Sequence, residues 1–128
     1  MAAARSSNRS AFLVEDEAMI RMMIADMLEE LGYSVAAEAG EISEAVRLAE
    51  TTEFDFAILD VNINGKIISP VADLLCARNR PFVFATGYGA AGVPEAYRDT
   101  PALQKPFEIE TLDKAIGKLL RSPTRHHS

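Results

Sequence analysis

Acidic, hydroxyl and ammonium side chains stand at the ends of short apolar runs along this sequence. There are five such residues: Glu15, Asp16, Asp60, Thr86 and Lys105. Crowded carboxylates repel one another unless a cation joins them, and Mg²⁺ prefers oxygen ligands of this kind. A carboxylate can serve as the nucleophile in phosphoryl transfer, and a lysine neutralises charge on the transferring group. These residue types therefore predict Mg²⁺-dependent phosphoryl chemistry at an aspartate, if the fold brings them together.

The elements that must position these residues follow from the apolar pattern, which switches repeatedly between buried runs and helical spacing. The predicted strands cover 11–14, 33–37, 54–59, 82–85 and 102–104, and the predicted helices cover 18–31, 41–51, 69–78 and 109–120. Apolar strands that alternate with amphipathic helices indicate a parallel sheet covered on both faces. Working groups in such sheets lie beyond the carboxyl ends of the strands, so we expect the five residues to meet at one edge.

Each of these residues, taken singly, also fits a purely structural role. An acid after a strand is commonly a solvated loop residue, and Asp16 or Glu17 could cap the first helix. Lys105 could lie on the surface, and Thr86 could pack within the sheet. The joint occurrence of all five in this order favours a functional site.

Four motifs resemble the response-regulator receiver domain of two-component signalling. They are Phe12-Leu-Val-Glu-Asp-Glu17, Ile58-Leu-Asp60, Phe84-Ala-Thr-Gly87 and Lys105-Pro-Phe107. The resemblance implies an α/β fold of the flavodoxin-like type, a three-layer sandwich with a five-stranded parallel sheet in the order 2-1-3-4-5. It implies a receiver domain over residues 11–120, with an N-terminal tail at 1–10 and a C-terminal tail at 121–128.

The resemblance also implies a role for each acidic residue. Asp60 is expected to be the phosphoacceptor and to contact Mg²⁺. Asp16 is expected to bind the metal directly, together with the backbone carbonyl of Asn62, and Glu15 to act on the metal indirectly.

Thr86 and Lys105 are expected, by the same resemblance, to hold the phosphoryl group. The peptide between Lys105 and Pro106 is expected to be cis and to aim the ammonium inward. The stretch Phe84-Ala-Thr-Gly87 is similar to the signature of a narrower group of stand-alone, single-domain receivers.

Two departures from the family pattern bear on the mechanism. After Asp60 the chain reaches Asn64-Gly65 early and without the usual proline, so we expect a shorter or differently shaped loop. Ala102 stands where many receivers carry an aromatic residue that swings inward on activation, so we expect any switch to work differently. The glycine- and alanine-rich segment 87–99 is predicted to be irregular.

Composition limits the function classes. With 128 residues, 13 basic and 19 acidic, the chain has the length of one domain and a net charge of −6, which argues against binding to nucleic acid. The single cysteine, Cys76, excludes an intrachain disulfide and is predicted to be a buried helix residue. There is neither a secretory signal pattern nor an apolar run long enough for a membrane span, so the expected location is the cytoplasm, without a membrane partner.

The leading hypothesis is a single-domain response regulator rather than an enzyme. Asp60 accepts a phosphoryl group from a histidine kinase or histidine phosphotransfer protein, and the signal leaves through a changed interface with a downstream protein. One alternative is a small Mg²⁺-dependent phosphatase with an aspartate nucleophile. Such enzymes carry a second aspartate at the position where this chain has Asn62. They also carry an acidic pair after the lysine, whereas in this chain the acidic pair comes before it. Another alternative is a receiver-like module that binds partners without phosphorylation.

Overall fold

The structure, a computed structural model, describes residues 9–87 and 92–121. The strands within these ranges are β1 (Ser10–Val14), β2 (Ser34–Ala39), β3 (Phe56–Asp60), β4 (Asn62–Ile63), β5 (Lys66–Ile67), β6 (Phe82–Thr86) and β7 (Ala102–Gln104). The helices are α1 (Ala18–Glu30), α2 (Ile42–Thr51), α3 (Ser69–Ala77) and α4 (Ile109–Arg121), with a 3₁₀ turn at Glu95–Tyr97.

Five strands form one parallel sheet in the order β2-β1-β3-β6-β7. Counted without the two-residue strands β4 and β5, this is the predicted order 2-1-3-4-5, so the flavodoxin-like topology is confirmed. The three central strands are apolar because both of their faces are covered. Side chains of β1 alternate between the two faces: Phe12 and Val14 pack with α2 and α3, whereas Ala11 and Leu13 pack with α1 and α4.

Several element boundaries differ from the predicted ones for identifiable reasons. The third strand begins at Phe56 rather than at residue 54, since Phe54 turns inward and stacks on Phe12 with ring centroids 5.0 Å apart. The same strand includes Asp60, which pairs with Ala85 of β6 and so extends the ladder. β1 begins and α4 ends one residue outside the predicted domain limits, and the tail residues 1–8 and 122–128 lie outside the described part of the chain.

The prediction that Cys76 is buried was wrong, because this residue is exposed. Helix α3 buries Val71, Ala72 and Leu75 against the sheet. Successive positions on an α-helix point about 100° apart, so the residue after Leu75 turns away from the sheet.

The loop after β3 is a small antiparallel hairpin formed by β4 and β5, with Asn64 and Gly65 at its turn. Both turn residues have positive φ, 53° at Asn64 and 83° at Gly65. Asn-Gly is the preferred pair for a two-residue turn of this kind, since asparagine tolerates and glycine readily adopts the left-handed region. The expected departure in loop shape is therefore explained by the Asn-Gly dipeptide.

The segment before β7 is held to the core by Tyr97. Its ring lies 5.8 Å from that of Phe82 and 5.9 Å from that of Phe84, and its hydroxyl donates to the Asp73 carboxylate on α3. The predicted irregular segment 87–99 contains a 3₁₀ turn in its described portion, and residues 88–91 lie outside the described ranges. No helix in the portion covered by the structure is long and apolar enough to cross a membrane.

Candidate functional site

Four neighbouring strands deliver polar side chains to one edge of the sheet. Glu15 follows β1, Asp60 ends β3, Thr86 ends β6, and Lys105 follows β7. Glu15, Asp60 and Thr86 are only 1%, 6% and 1% exposed. Among the described residues, they are the polar ones that the fold buries. The structure thus brings together the side chains that were predicted to meet.

Lys105 is the cationic centre of this group. Its Nζ atom lies 3.0 Å from Glu15 Oε1 and 3.0 Å from Asp60 Oδ2, and its side chain is 15% exposed. The peptide between Lys105 and Pro106 is cis, and the backbone N–H of Lys105 donates to the carbonyl of Thr86 at 2.8 Å.

Three carboxylates converge beside the ammonium. Glu15, Asp16 and Asp60 each offer an oxygen atom, and these atoms all lie within 4.8 Å of one another. The backbone N–H of Asn62 donates to Asp60 Oδ1 at 3.2 Å. One ammonium cannot neutralise three carboxylates, so the site favours a further cation. A set of hard oxygen donors with one partly exposed member, Asp16, fits Mg²⁺.

The surroundings of Glu15 and Lys105 shift the pKa values of these two residues. Burial of the Glu15 carboxyl, with the charge of Asp60 acting in the same direction, raises the pKa of Glu15 to about 7 although the Lys105 bond opposes this. Burial lowers the pKa of the Lys105 ammonium, but its hydrogen bonds to Asp60 and Glu15 outweigh that effect and leave the pKa raised. The lysine therefore stays charged, and Glu15 titrates near neutral pH.

The alternative capping role does not hold for Glu17, because α1 begins without a side-chain capping bond. The Glu17 backbone N–H instead donates to Glu15 Oε2 at 3.1 Å. Asp16 Oδ2 accepts from the backbone N–H of Asn64 in the hairpin at 2.8 Å. Sequence reasoning missed Asn64 as a site residue, although the Asn-Gly pair marked its turn.

We expect Glu15→Gln to stabilise the metal-free protein increasingly as the pH rises. Because burial raises the pKa of Glu15 from 4.5 to about 7, its ionisation opposes folding. The resulting penalty is absent below the unfolded pKa and grows until the pH passes the folded pKa. The gain between pH 5 and pH 8 should be about 2 kcal/mol.

Urea unfolding with a chelator present, at several pH values, measures this gain. The matched control is Glu50→Gln, which changes an exposed glutamate on α2. A stability difference between wild type and Glu15→Gln that does not change with pH would contradict the prediction.

The fold and the site define a class: flavodoxin-like α/β domains with a carboxylate–lysine cluster at the carboxyl edge of the sheet. A family model described as the response regulator receiver domain matches residues 11–117. The chain belongs to this receiver family, as its motifs indicated.

Curated relatives and solved structures agree with this assignment. The transcriptional regulatory protein PdtaR of Mycobacterium tuberculosis is 39% identical over an alignment of 112 residues, and the match covers 84% of this chain and 55% of the relative. The chain thus spans about half the length of the curated relatives it matches.

The solution structure of SdrG from Sphingomonas melonis Fr1 is 41% identical, with a TM-score of 0.80, covering 90% of this chain and 98% of that one. A second solution structure, titled as the BeF3-activated conformation of SdrG from Pseudomonas melonis Fr1, is 43% identical, with a TM-score of 0.75, covering 87% and 95%.

Proposed function

We propose that this protein is a cytoplasmic response regulator that accepts a phosphoryl group on Asp60. The donor is a phosphohistidine on a kinase or phosphotransfer protein, and the output is a changed interaction with a downstream protein. The observation that carries the proposal is the placement of Asp60, whose carboxylate contacts the Lys105 ammonium at 3.0 Å inside a cluster of three carboxylates. Membership of the receiver family supports the same assignment.

In the proposed transfer, an Asp60 carboxylate oxygen attacks phosphorus, the phosphorus–nitrogen bond of phosphohistidine breaks, and imidazole leaves. Asp60 is held for this step by Lys105 on Oδ2 and by the Asn62 N–H on Oδ1. The Lys105 ammonium lies 3.0 Å from Asp60 Oδ2, so it is close enough to contact an oxygen of a phosphoryl group on Asp60. Thr86 ends β6, the strand that lies between β3 and β7.

The metal would be held by the carboxylates of Asp16 and Asp60 and by the Asn62 backbone carbonyl, with Glu15 acting indirectly. When bound, Mg²⁺ neutralises charge on the transferring group.

The receiver assignment favours a signalling role over the phosphatase alternative. Transfer onto Asp60 is self-catalysed, in the sense that this chain's own side chains arrange its nucleophile. We propose further that the receiver domain spans residues 11–120, with an N-terminal tail at 1–10 and a C-terminal tail at 121–128.

Titration with beryllofluoride and Mg²⁺ tests the proposal, because BeF3⁻ mimics a phosphoryl group on a carboxylate. The SdrG relative has a structure titled as its BeF3-activated conformation. We expect amide NMR shifts centred on Asp60, Thr86 and Lys105, extending along β6 toward the segment held by Tyr97. A spectrum unchanged near Asp60, with Mg²⁺ present, would instead support a module that binds partners without phosphorylation.

A further inference from the structure

We propose that Asn64 is a positioning residue that fixes the Asp16 carboxylate for cation binding and ties it to the loop between β2 and α2. The inference rests on the proposed function, because Asp16 belongs to the same site. It assigns a role to the hairpin of β4 and β5. This hairpin lies outside the four sequence motifs that resemble the receiver family.

Asn64 reaches two other loops at once. Its backbone N–H donates to Asp16 Oδ2 at 2.8 Å, and its side-chain Nδ2 donates to the carbonyl of Gly40 at 3.2 Å. Gly40 is held in turn by Glu44, whose Oε1 accepts its N–H at 3.3 Å. The loops that follow β1, β2 and β3 therefore form one hydrogen-bonded unit around Asp16.

The hairpin can hold Asp16 because it is anchored in the core on both sides of its turn, by Ile63 before the turn and by Ile68 after β5. Ile63 and Ile68 are fully buried, and the Ile68 N–H donates to the carbonyl of Val61 at 2.9 Å. Within the hairpin, the Gly65 N–H donates to Asn62 Oδ1 at 2.9 Å. The Asn64 N–H therefore belongs to a turn that is anchored by buried side chains and hydrogen bonds.

Charge explains why Asp16 needs such a partner. Asp16 is only partly buried and lies beside two other carboxylates, whose repulsion favours rotation of its side chain into water. A hydrogen bond from a backbone N–H to a carboxylate is charge-assisted and stronger than a neutral one. It occupies one carboxylate oxygen and leaves the other for a cation. Loss of such a partner commonly weakens metal binding by about 10–100-fold.

The test is a titration of the whole chain with Mg²⁺ alone, in which calorimetry or NMR measures the Mg²⁺ affinity. Two variants perturb the hairpin differently. Asn64→Gly removes the bond to Gly40 but keeps the backbone N–H. Gly65→Ala strains the turn at φ +83° without a clash, since nothing lies within 4 Å of the added Cβ. We expect each variant to weaken Mg²⁺ binding roughly tenfold.

Gly32→Ala is the matched control, because Gly32 also has a positive φ, 98°. It lies between α1 and β2, at the opposite end of the sheet from the site. Strain alone should lower its stability as much as that of Gly65→Ala while its Mg²⁺ affinity stays at the wild-type level. In an Asp16→Asn background, Gly65→Ala should cause no further loss of affinity, as expected for two residues that act through one contact.

Wild-type Mg²⁺ affinity in both hairpin variants would overturn the inference, and so would an equal loss of affinity in Gly32→Ala. Labelling of the wild-type protein by acetyl phosphate, scored separately, distinguishes the two proposals. A wild type that binds Mg²⁺ but is not labelled at Asp60 overturns the proposed function while the hairpin comparison still stands. A wild type that does not bind Mg²⁺ overturns both.

Discussion

Asp60→Asn is expected to abolish phosphoryl incorporation from acetyl phosphate in the presence of Mg²⁺. The amide has no anionic oxygen to attack phosphorus, and it removes one charge from the proposed metal site. Asp60 is 6% exposed and held on both oxygens, so the substitution removes a carboxylate that the fold holds in one position. We expect no detectable acyl phosphate by mass spectrometry, a loss of at least about a hundredfold given that the nucleophile itself is removed.

The residue directly before this strand provides the matched control. Asp55 immediately precedes β3, is exposed, and accepts a hydrogen bond from the Ser10 N–H at 2.8 Å. Asp55→Asn should be phosphorylated like the wild type. If Asp60→Asn were also labelled at the wild-type level and rate, Asp60 would not be the phosphoacceptor.

Lys105→Met is the second large expected effect, and it should act in opposite directions on two measurements. The ammonium contacts Glu15 and Asp60 at 3.0 Å each, so it competes electrostatically with any added cation. Its removal should tighten Mg²⁺ binding about tenfold, equivalent to roughly 1.4 kcal/mol. Phosphorylation by acetyl phosphate should nevertheless fall about a hundredfold or more, as when one preorganised cationic donor is lost.

The metal-free Lys105→Met protein should also be less stable at pH 8, because two buried carboxylates lose their shared partner. Lys114→Met, which changes an exposed lysine on α4, should leave Mg²⁺ affinity, phosphorylation and stability unchanged. Weaker Mg²⁺ binding in Lys105→Met would show that the lysine supports the metal site rather than competing with it.

The sheet and the polar residues at its carboxyl edge were predictable because the information is local and repeated. Each buried strand is an apolar run, and Asp60 and Lys105 stand where such runs end. Parallel topology then places them together without knowledge of any contact. The extension of β3 to Asp60 depended on pairing with Ala85, which the run of apolar residues alone does not specify.

Contacts between loops could not be predicted from the sequence pattern. The Asn64 bonds to Asp16 and Gly40 join three separate connections, and only the Asn-Gly turn signal was local. The hydroxyl of Tyr97 likewise donates a hydrogen bond to Asp73, which lies 24 residues earlier in the sequence. Such contacts depend on how neighbouring elements pack, so they cannot be predicted from the spacing of apolar residues along the chain.

The ion pair between Lys105 and Glu15 joins positions separated by 90 residues. Because the chain is synthesised from its amino end, Glu15, Asp16 and Asp60 leave the ribosome long before the lysine. A nascent chain that ends before β7 carries the acidic residues without the ammonium that contacts two of them. The cluster that holds Asp60 is therefore complete only once the last strand of the sheet, β7, has been made.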